Sequence, residues 1–285
     1  MLNLGIINTL KALRRTDNGV YLIDDEENEV LLPNKYVAED LELGDSIDVF
    51  LYKDSEDRAI ATNLSPFLML GEYAALEAKA VVDFGAFFEW GLEKDLLVPH
   101  SQQATKIEEG KTYVVYLYLD EKSERLVGTT KIKGTLERSE PELEVGQKVD
   151  LLAFEETEIG INVIVDNTYQ GILYKNEVFE AVTIGDELSG YVKKLRTDNK
   201  VDISLNKFGY RAVDANVKKL YSILVINGGT LSLNDKSAPE AIASKLGMSK
   251  KIFKKAIGAL YKEKQIEITD TGINLINRDL NVEND

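Results

Sequence analysis

Residues 82–101 read VDFGAFFEWGLEKDLLVPHS. Phe84 and Phe87 flank a Gly-Ala pair, and a second apolar run ends in Pro99, His100 and Ser101. Side chains along a strand alternate faces, so Phe88 and Trp90 share one face while Phe87 and Glu89 share the other. A glutamate prefers water, which assigns Phe88 and Trp90 to a core and Phe87 to the outside. Phe84 is out of step with this alternation. A bulge at Gly85 brings its ring beside Phe87 on the outer surface; without one, Phe84 closes the end of the core.

The stretch belongs to the second of three copies. Gly19-Val20-Tyr21, Gly85-Ala86-Phe87 and Gly160-Ile161-Asn162 precede the apolar segments NEVLLPNK, KDLLVPHS and YQGILYKN, which end at Lys35, Ser101 and Asn176. Glycine-led hairpins then begin at Gly44, Gly110 and Gly185, with turns at Asp54–Arg58, Asp120–Arg125 and Arg196–Lys200. Each copy spans roughly 65 residues and reads as about five short strands. This predicts closed five-stranded barrels of the OB type, in which closure removes the open edges. The expected divisions are residues 1–64, 65–134 and 135–208 for the barrels and 209–285 for a different tail, with Ser65-Pro66 and Ser139-Glu140-Pro141 as short linkers. The fold class is mainly β with an α+β C-terminus.

The tail changes to helical spacing. Val213, Val217, Leu220, Leu224 and Val225 mark a helix over 212–227, stopped by Gly228-Gly229. Ser237 is placed to cap a second helix ending at Gly247, with Glu240 completing a capping box, and Ser249 to cap a third. Ile252, Phe253, Ala256, Ile257 and Leu260 form the third helix's buried stripe, and IEITDTGINLI a two-stranded wing. Three helices and a terminal hairpin predict a winged helix-turn-helix. Lys250, Lys251, Lys254 and Lys255 fall on adjoining faces of the third helix. They read either as phosphate contacts or as a solvated face; lysines position a backbone but rarely read bases.

Charge divides the chain. Residues 1–207 carry 22 Lys and Arg against 40 Asp and Glu, a net of −18, while residues 208–285 carry 12 against 9, a net of +3. The acidic part does not attract nucleic acid through bulk electrostatics, so binding there needs local stacking sites. There is no cysteine, one histidine and no phosphate loop with Lys-Ser/Thr, which argues against an enzyme. No cofactor and no metal is expected: Asp24-Asp25-Glu26-Glu27 lacks rigid ligand spacing and reads as a solvated turn. Neither a signal peptide nor an apolar run of membrane length is evident, so no membrane partner and a cytoplasmic location are expected.

Tyr116, Tyr118 and Asp120 alternate onto one strand face, where the tyrosines either extend an aromatic platform or are surface β-formers. These features resemble an S1 RNA-binding domain, whose pattern runs FGAF, an apolar stretch with His and Ser, then a glycine-led strand ending in Asp, a turn and Arg. The resemblance implies RNA contacts from Phe84, Phe87, Asp120 and Arg125. Aligning on Ser101 puts Pro99 at the family's histidine position and His100 one residue later; His100 reads either as an RNA contact or as a structural histidine. Tyr174 stands at that position in the third unit and is a further candidate RNA contact, while Ile159 and Asn162 replace the aromatics there. The first unit keeps Tyr21 but has Asn18 in place of the first aromatic, and residues 1–64 carry a net −8. Three S1-like units and a winged helix resemble the conserved virulence factor B family of Firmicutes. That resemblance implies a regulator of gene expression, virulence genes included. Single-stranded RNA is the implied partner, with DNA at the winged helix as an alternative. The competing class is a protein-interaction adaptor that binds no nucleic acid.

Overall fold

The repeated glycines and the strands between them govern how each barrel closes. The computed structural model describes residues 2–175, 177–178, 181–205 and 215–276. Two units are distinguished, Met1–Phe208 and Gly209–Asp285. The first unit opens with strands β1 (Ile7–Thr16), β2 (Gly19–Ile23), β3 (Glu29–Pro33), β4 (Ser46–Lys53) and β5 (Ala59–Thr62), closed into a barrel in the order β1-β2-β3-β5-β4. The second set is β6 (Tyr73–Val82), β7 (Gly85–Phe88), β8 (Leu96–Pro99), β9 (Thr112–Asp120) and β10 (Arg125–Thr129). The third is β11 (Lys148–Glu156), β12 (Gly160–Val165), β13 (Tyr169–Tyr174), β14 (Glu187–Leu195) and β15 (Val201–Ser204), again a closed barrel.

One device recurs in all three. The first strand carries an irregularity after a buried alanine: between Ala12 and Arg14, Ala78 and Ala80, and Ala153 and Glu155. The amides of Gly44, Gly110 and Gly185 donate to the carbonyls of Ala12, Ala78 and Ala153 at 2.7, 2.8 and 2.7 Å. Their φ angles of 95°, 75° and 97° are why glycine stands there. A second glycine set is fixed by close approach. A Cβ on Gly85 meets the Val98 carbonyl oxygen at 2.6 Å, and one on Gly160 meets that of Leu173 at 2.2 Å. The expected bulge at Gly85 is therefore absent; the irregularity lies across the ladder in β6, and Gly85 is needed to let β7 run against β8.

The middle unit differs from the closed barrel expected of it. Its sheet runs β10-β9-β6-β7-β8, with no ladder between β8 and β10. The two strands pack side to side through Gly128, where a Cβ meets Val98 at 2.7 Å and Leu96 at 3.2 Å. Closure is made just beyond the strand ends. The Gln102 carbonyl accepts from the Thr130 amide and the Thr129 hydroxyl, both at 3.0 Å.

The barrels of the first unit share apolar seams. Phe50 and Tyr52 of the first pack into the core of the second, where Phe50 meets Trp90 edge to face at 5.8 Å. Such pairs contribute about 0.5–1.5 kcal/mol beyond area burial. Phe88 and Trp90 are buried, as alternation requires. Val114, Ile132 and Leu136 meet Leu152 and Ile164 of the third barrel in a smaller cluster.

The second unit contains α1 (Ala215–Ile226), β16 (Thr230–Leu231), α2 (Pro239–Leu246), α3 (Lys250–Lys262), β17 (Ile266–Ile268) and β18 (Ile273–Leu275). The wing gains a third strand, in the order β16-β18-β17. Val217, Leu220 and Leu224 are buried, whereas Val225 is exposed. Ala212, Val213 and Asn176 lie outside the described residues. Ser237 does not cap α2: its hydroxyl accepts from the Asn234 amide inside the preceding turn, and Ala238 occupies the cap position. Gly247 ends α2 in the left-handed conformation at φ 60°, and Ser249 caps α3 by accepting from the Ile252 amide at 3.3 Å. Phe253, Ala256, Ile257 and Leu260 are buried; Ile252, expected among them, is on the exposed side.

Candidate nucleic-acid interface

The β6–β7 turn carries Asp83 and Phe84 and is held by the His100 amide, which donates to the Phe84 carbonyl at 3.1 Å. Because Phe84 sits in the turn and not in β7, its ring escapes strand alternation. It is 61% exposed, Phe87 is half-buried, and the two rings meet edge to face at 6.0 Å. The outward aromatic pair thus forms through a turn.

Both rings line a groove of about 750 Å3. Tyr118, Asp120 and Arg125 line it as well, brought there because Arg125 pairs with Asp120 and Val127 with Tyr118 across β9 and β10. Burial pushes the Tyr118 hydroxyl above its ordinary pKa. The Ser123 hydroxyl and amide hydrogen-bond the Asp120 carboxylate at 2.7 and 2.9 Å and hold it below the usual carboxylate range. The Arg125 Nε donates to Asp57 of the first barrel at 2.6 Å, which lowers the Asp57 carboxyl and raises the guanidinium.

Three expected residues lie elsewhere. His100 is exposed at the start of a short 3-10 turn, its Nδ1 3.3 Å from Gln103 Oε1, while Ser101 and Gln102 line the groove in its stead. Tyr116 turns toward the third barrel and packs on Tyr73 at 4.7 Å, and the Tyr73 hydroxyl is 2.9 Å from that of Thr135. Tyr174 is on the third barrel, where its hydroxyl donates to Asp202 at 3.1 Å; burial and that contact raise its pKa. The Lys193 ammonium lies 5.8 Å from the Tyr174 ring centre.

The corresponding faces of the outer barrels carry other chemistry. In the first, the Arg14 guanidinium covers the Tyr21 ring at 3.8 Å and pairs with Glu29 at 2.6 Å. In the third, Ile159 is exposed and Asn162 is buried, donating to Glu155. The acidic stretch at 24–27 is a turn whose Asp24 carboxylate accepts from the Glu26 and Asn28 amides at 2.9 and 2.8 Å. On α3, Lys251, Lys254 and Lys255 are exposed and Lys250 is half-buried.

Residues that reading each unit alone did not find are Tyr52, Lys53 and Asp57 of the first barrel and Lys94 of the second, all in the groove wall. For Asp57 the signal was the repeated hairpin turn, whose first copy reaches into the second barrel's groove; Lys94 lies in the connection between β7 and β8. Among the described residues no helix is long and apolar enough to cross a membrane.

Residues 218–275 match the family model described as the CvfB-like winged helix domain, and residues 4–64 and 70–131 match the S1 domain model. The third barrel lies outside the matched ranges but repeats the strand order of the first. The uncharacterized protein YitL of Bacillus subtilis is 29% identical over 268 residues, covering 90% of this chain and 89% of its own. A conserved virulence factor B of Staphylococcus epidermidis is 26% identical over 263 residues, covering 88% of each chain. A solved multidomain protein with nucleic acid binding domains from Streptococcus pneumoniae is 22% identical, with a TM-score of 0.44 over 96% of this chain and 98% of that one.

Proposed function

We propose that the chain, with S1 domains and a CvfB-like winged helix and relatives named conserved virulence factor B, is a member of that family and a cytoplasmic, non-enzymatic regulator of gene expression that binds single-stranded RNA. The observation that carries this reading is the edge-to-face pair Phe84–Phe87 opening onto a groove that also holds Arg125, Lys53 and Lys94. Aromatic faces stack on unpaired bases of any sequence, and the cations neutralise the backbone between them. Such a site works on a chain of net charge −15 because stacking does not depend on bulk charge. The exposed lysines of α3 add phosphate contacts that position and do not specify.

The test is titration of the full chain with a fluorescent oligouridine across a salt series, beside a duplex DNA of equal length. Saturable binding to the single strand that weakens with salt is the expected result. No binding of either nucleic acid supports the alternative, an adaptor that uses its barrels and winged helix for protein contacts.

A further inference from the structure

The seam between the first two barrels runs along the groove, and two of the ion pairs across it, both at the groove wall, run in opposite directions. Lys53 at the end of β4 reaches Glu124 of the second barrel at 3.2 Å. The neighbouring Arg125 reaches back to Asp57 of the first barrel at 2.6 Å. Asp57 stands at φ 64°, at the tip of a turn pinned by Asp54, whose carboxylate accepts from the Glu56 and Arg58 amides at 2.8 and 3.0 Å. The turn is therefore a built feature that fixes where Lys53 and Asp57 lie.

We propose that the first barrel completes the binding groove of the second, with Lys53 as a phosphate-contacting residue, so that a single-stranded RNA backbone follows the seam between them. This rests on the RNA-binding reading of the Phe84–Phe87 groove. Lys53 lines the groove, and its side chain is only 17% exposed, whereas that of its partner Glu124 is 76% exposed. An exposed carboxylate is weakly held, so a phosphate displaces it at little cost, and the lysine stays in place because its stem is packed. Arg125 is anchored through Nε, which leaves its two Nη groups without a protein acceptor among the described residues. Lys94, also in the wall, donates to the Asp54 carbonyl at 3.3 Å. Three cations thus converge beside two aromatic rings. Residues 1–64 as a whole carry a net charge of −8, which repels a polyanion from the rest of the first barrel and confines it to the seam.

The same seam supplies a control. Lys35 of the first barrel pairs with Glu93 of the second, and neither lines the groove. If inter-barrel pairing were the whole role of Lys53, then Lys53→Gln and Lys35→Gln in the full chain would behave alike. The expected result is that Lys53→Gln weakens oligouridine binding by about threefold and flattens the slope of log affinity against log salt by about 0.7. Lys35→Gln leaves both unchanged, and Lys53→Arg, which keeps the charge, retains the slope. Equal behaviour of the two glutamine variants, or an unchanged slope in Lys53→Gln, overturns the proposal. Should Lys53→Gln fail to fold, the same flattening of the slope in a folded Lys53→Met variant supports it and an unchanged slope overturns it. The Phe84→Ala/Phe87→Ala chain separates the two failures. If it loses binding while Lys53→Gln does not, the composite groove is wrong and the aromatic site stands; if wild type does not bind, both fall.

Discussion

The second and third barrels are built on one plan and present opposite surfaces at the same place. Both bend their first strand after a buried alanine held by a hairpin glycine, and both need a glycine where the second strand meets the third. Yet the second barrel displays Phe84 and Phe87 beside Arg125, while the third displays Ile159 and buries Asn162 against Glu155. The glycines and core alternation specify the barrel. A handful of outward positions, which the fold leaves unconstrained, specify what it binds. Similarity of fold across the three units is therefore no evidence of three equivalent sites.

The largest effect that sharpens this contrast is on the aromatic pair. Base stacking contributes roughly 1–3 kcal/mol per base, so Phe84→Ala/Phe87→Ala lowers oligouridine affinity on the order of tenfold or more. Phe84 is exposed and Phe87 half-buried, so the thermal transition is expected to stay in place. Ile159→Ala at the matching position of the third barrel changes neither quantity. Retained affinity in the double variant would break the contrast and return both rings to scaffold.

Next is the charge contrast between barrel and winged helix. Changing Lys250, Lys251, Lys254 and Lys255 together to glutamine keeps helix propensity near that of lysine. The salt slope is expected to become shallower by about 2 or more, with a similar loss for every sequence tested. An identical slope in the folded variant means that the face is solvated, and the winged helix becomes a candidate for protein docking.

Smaller effects separate residues that share a strand face. Tyr116→Ala removes the ring pair with Tyr73 and is expected to cost about 1 kcal/mol of stability, read by denaturant titration, with RNA affinity retained. A loss of affinity at constant stability would place Tyr116 with Tyr118 after all. His100→Ala, outside the groove, is expected to leave affinity unchanged in the same titration.

Much of the barrel plan was legible because its causes are local. Gly44, Gly110 and Gly185 recur since only glycine adopts their backbone angles, and Phe88 and Trp90 alternate inward as a half-buried strand requires. The stripe on α3 followed from its period, save Ile252, which lies in the first turn at the edge of the buried face. What escaped was non-local. Alternation placed Tyr116 and Tyr118 on one face but not the third barrel that covers only the former. Ser237 had the right chemistry for a cap, but Asn234, three residues earlier, engages its hydroxyl. The seam residues Lys53 and Asp57 carry no motif of their own. Their part in the groove exists only once two barrels dock through Phe50, Tyr52 and Trp90.

Single-stranded RNA is expected to meet the chain at the groove of the second barrel. Ultraviolet crosslinking of the full chain to oligouridine, followed by mass spectrometry of the attached peptides, tests it most directly. Crosslinks are expected on peptides carrying Phe84, Phe87 and Tyr118, and they are lost in Phe84→Ala/Phe87→Ala. Crosslinks confined to the third barrel or the winged helix, with residues 82–125 unmarked, would contradict it.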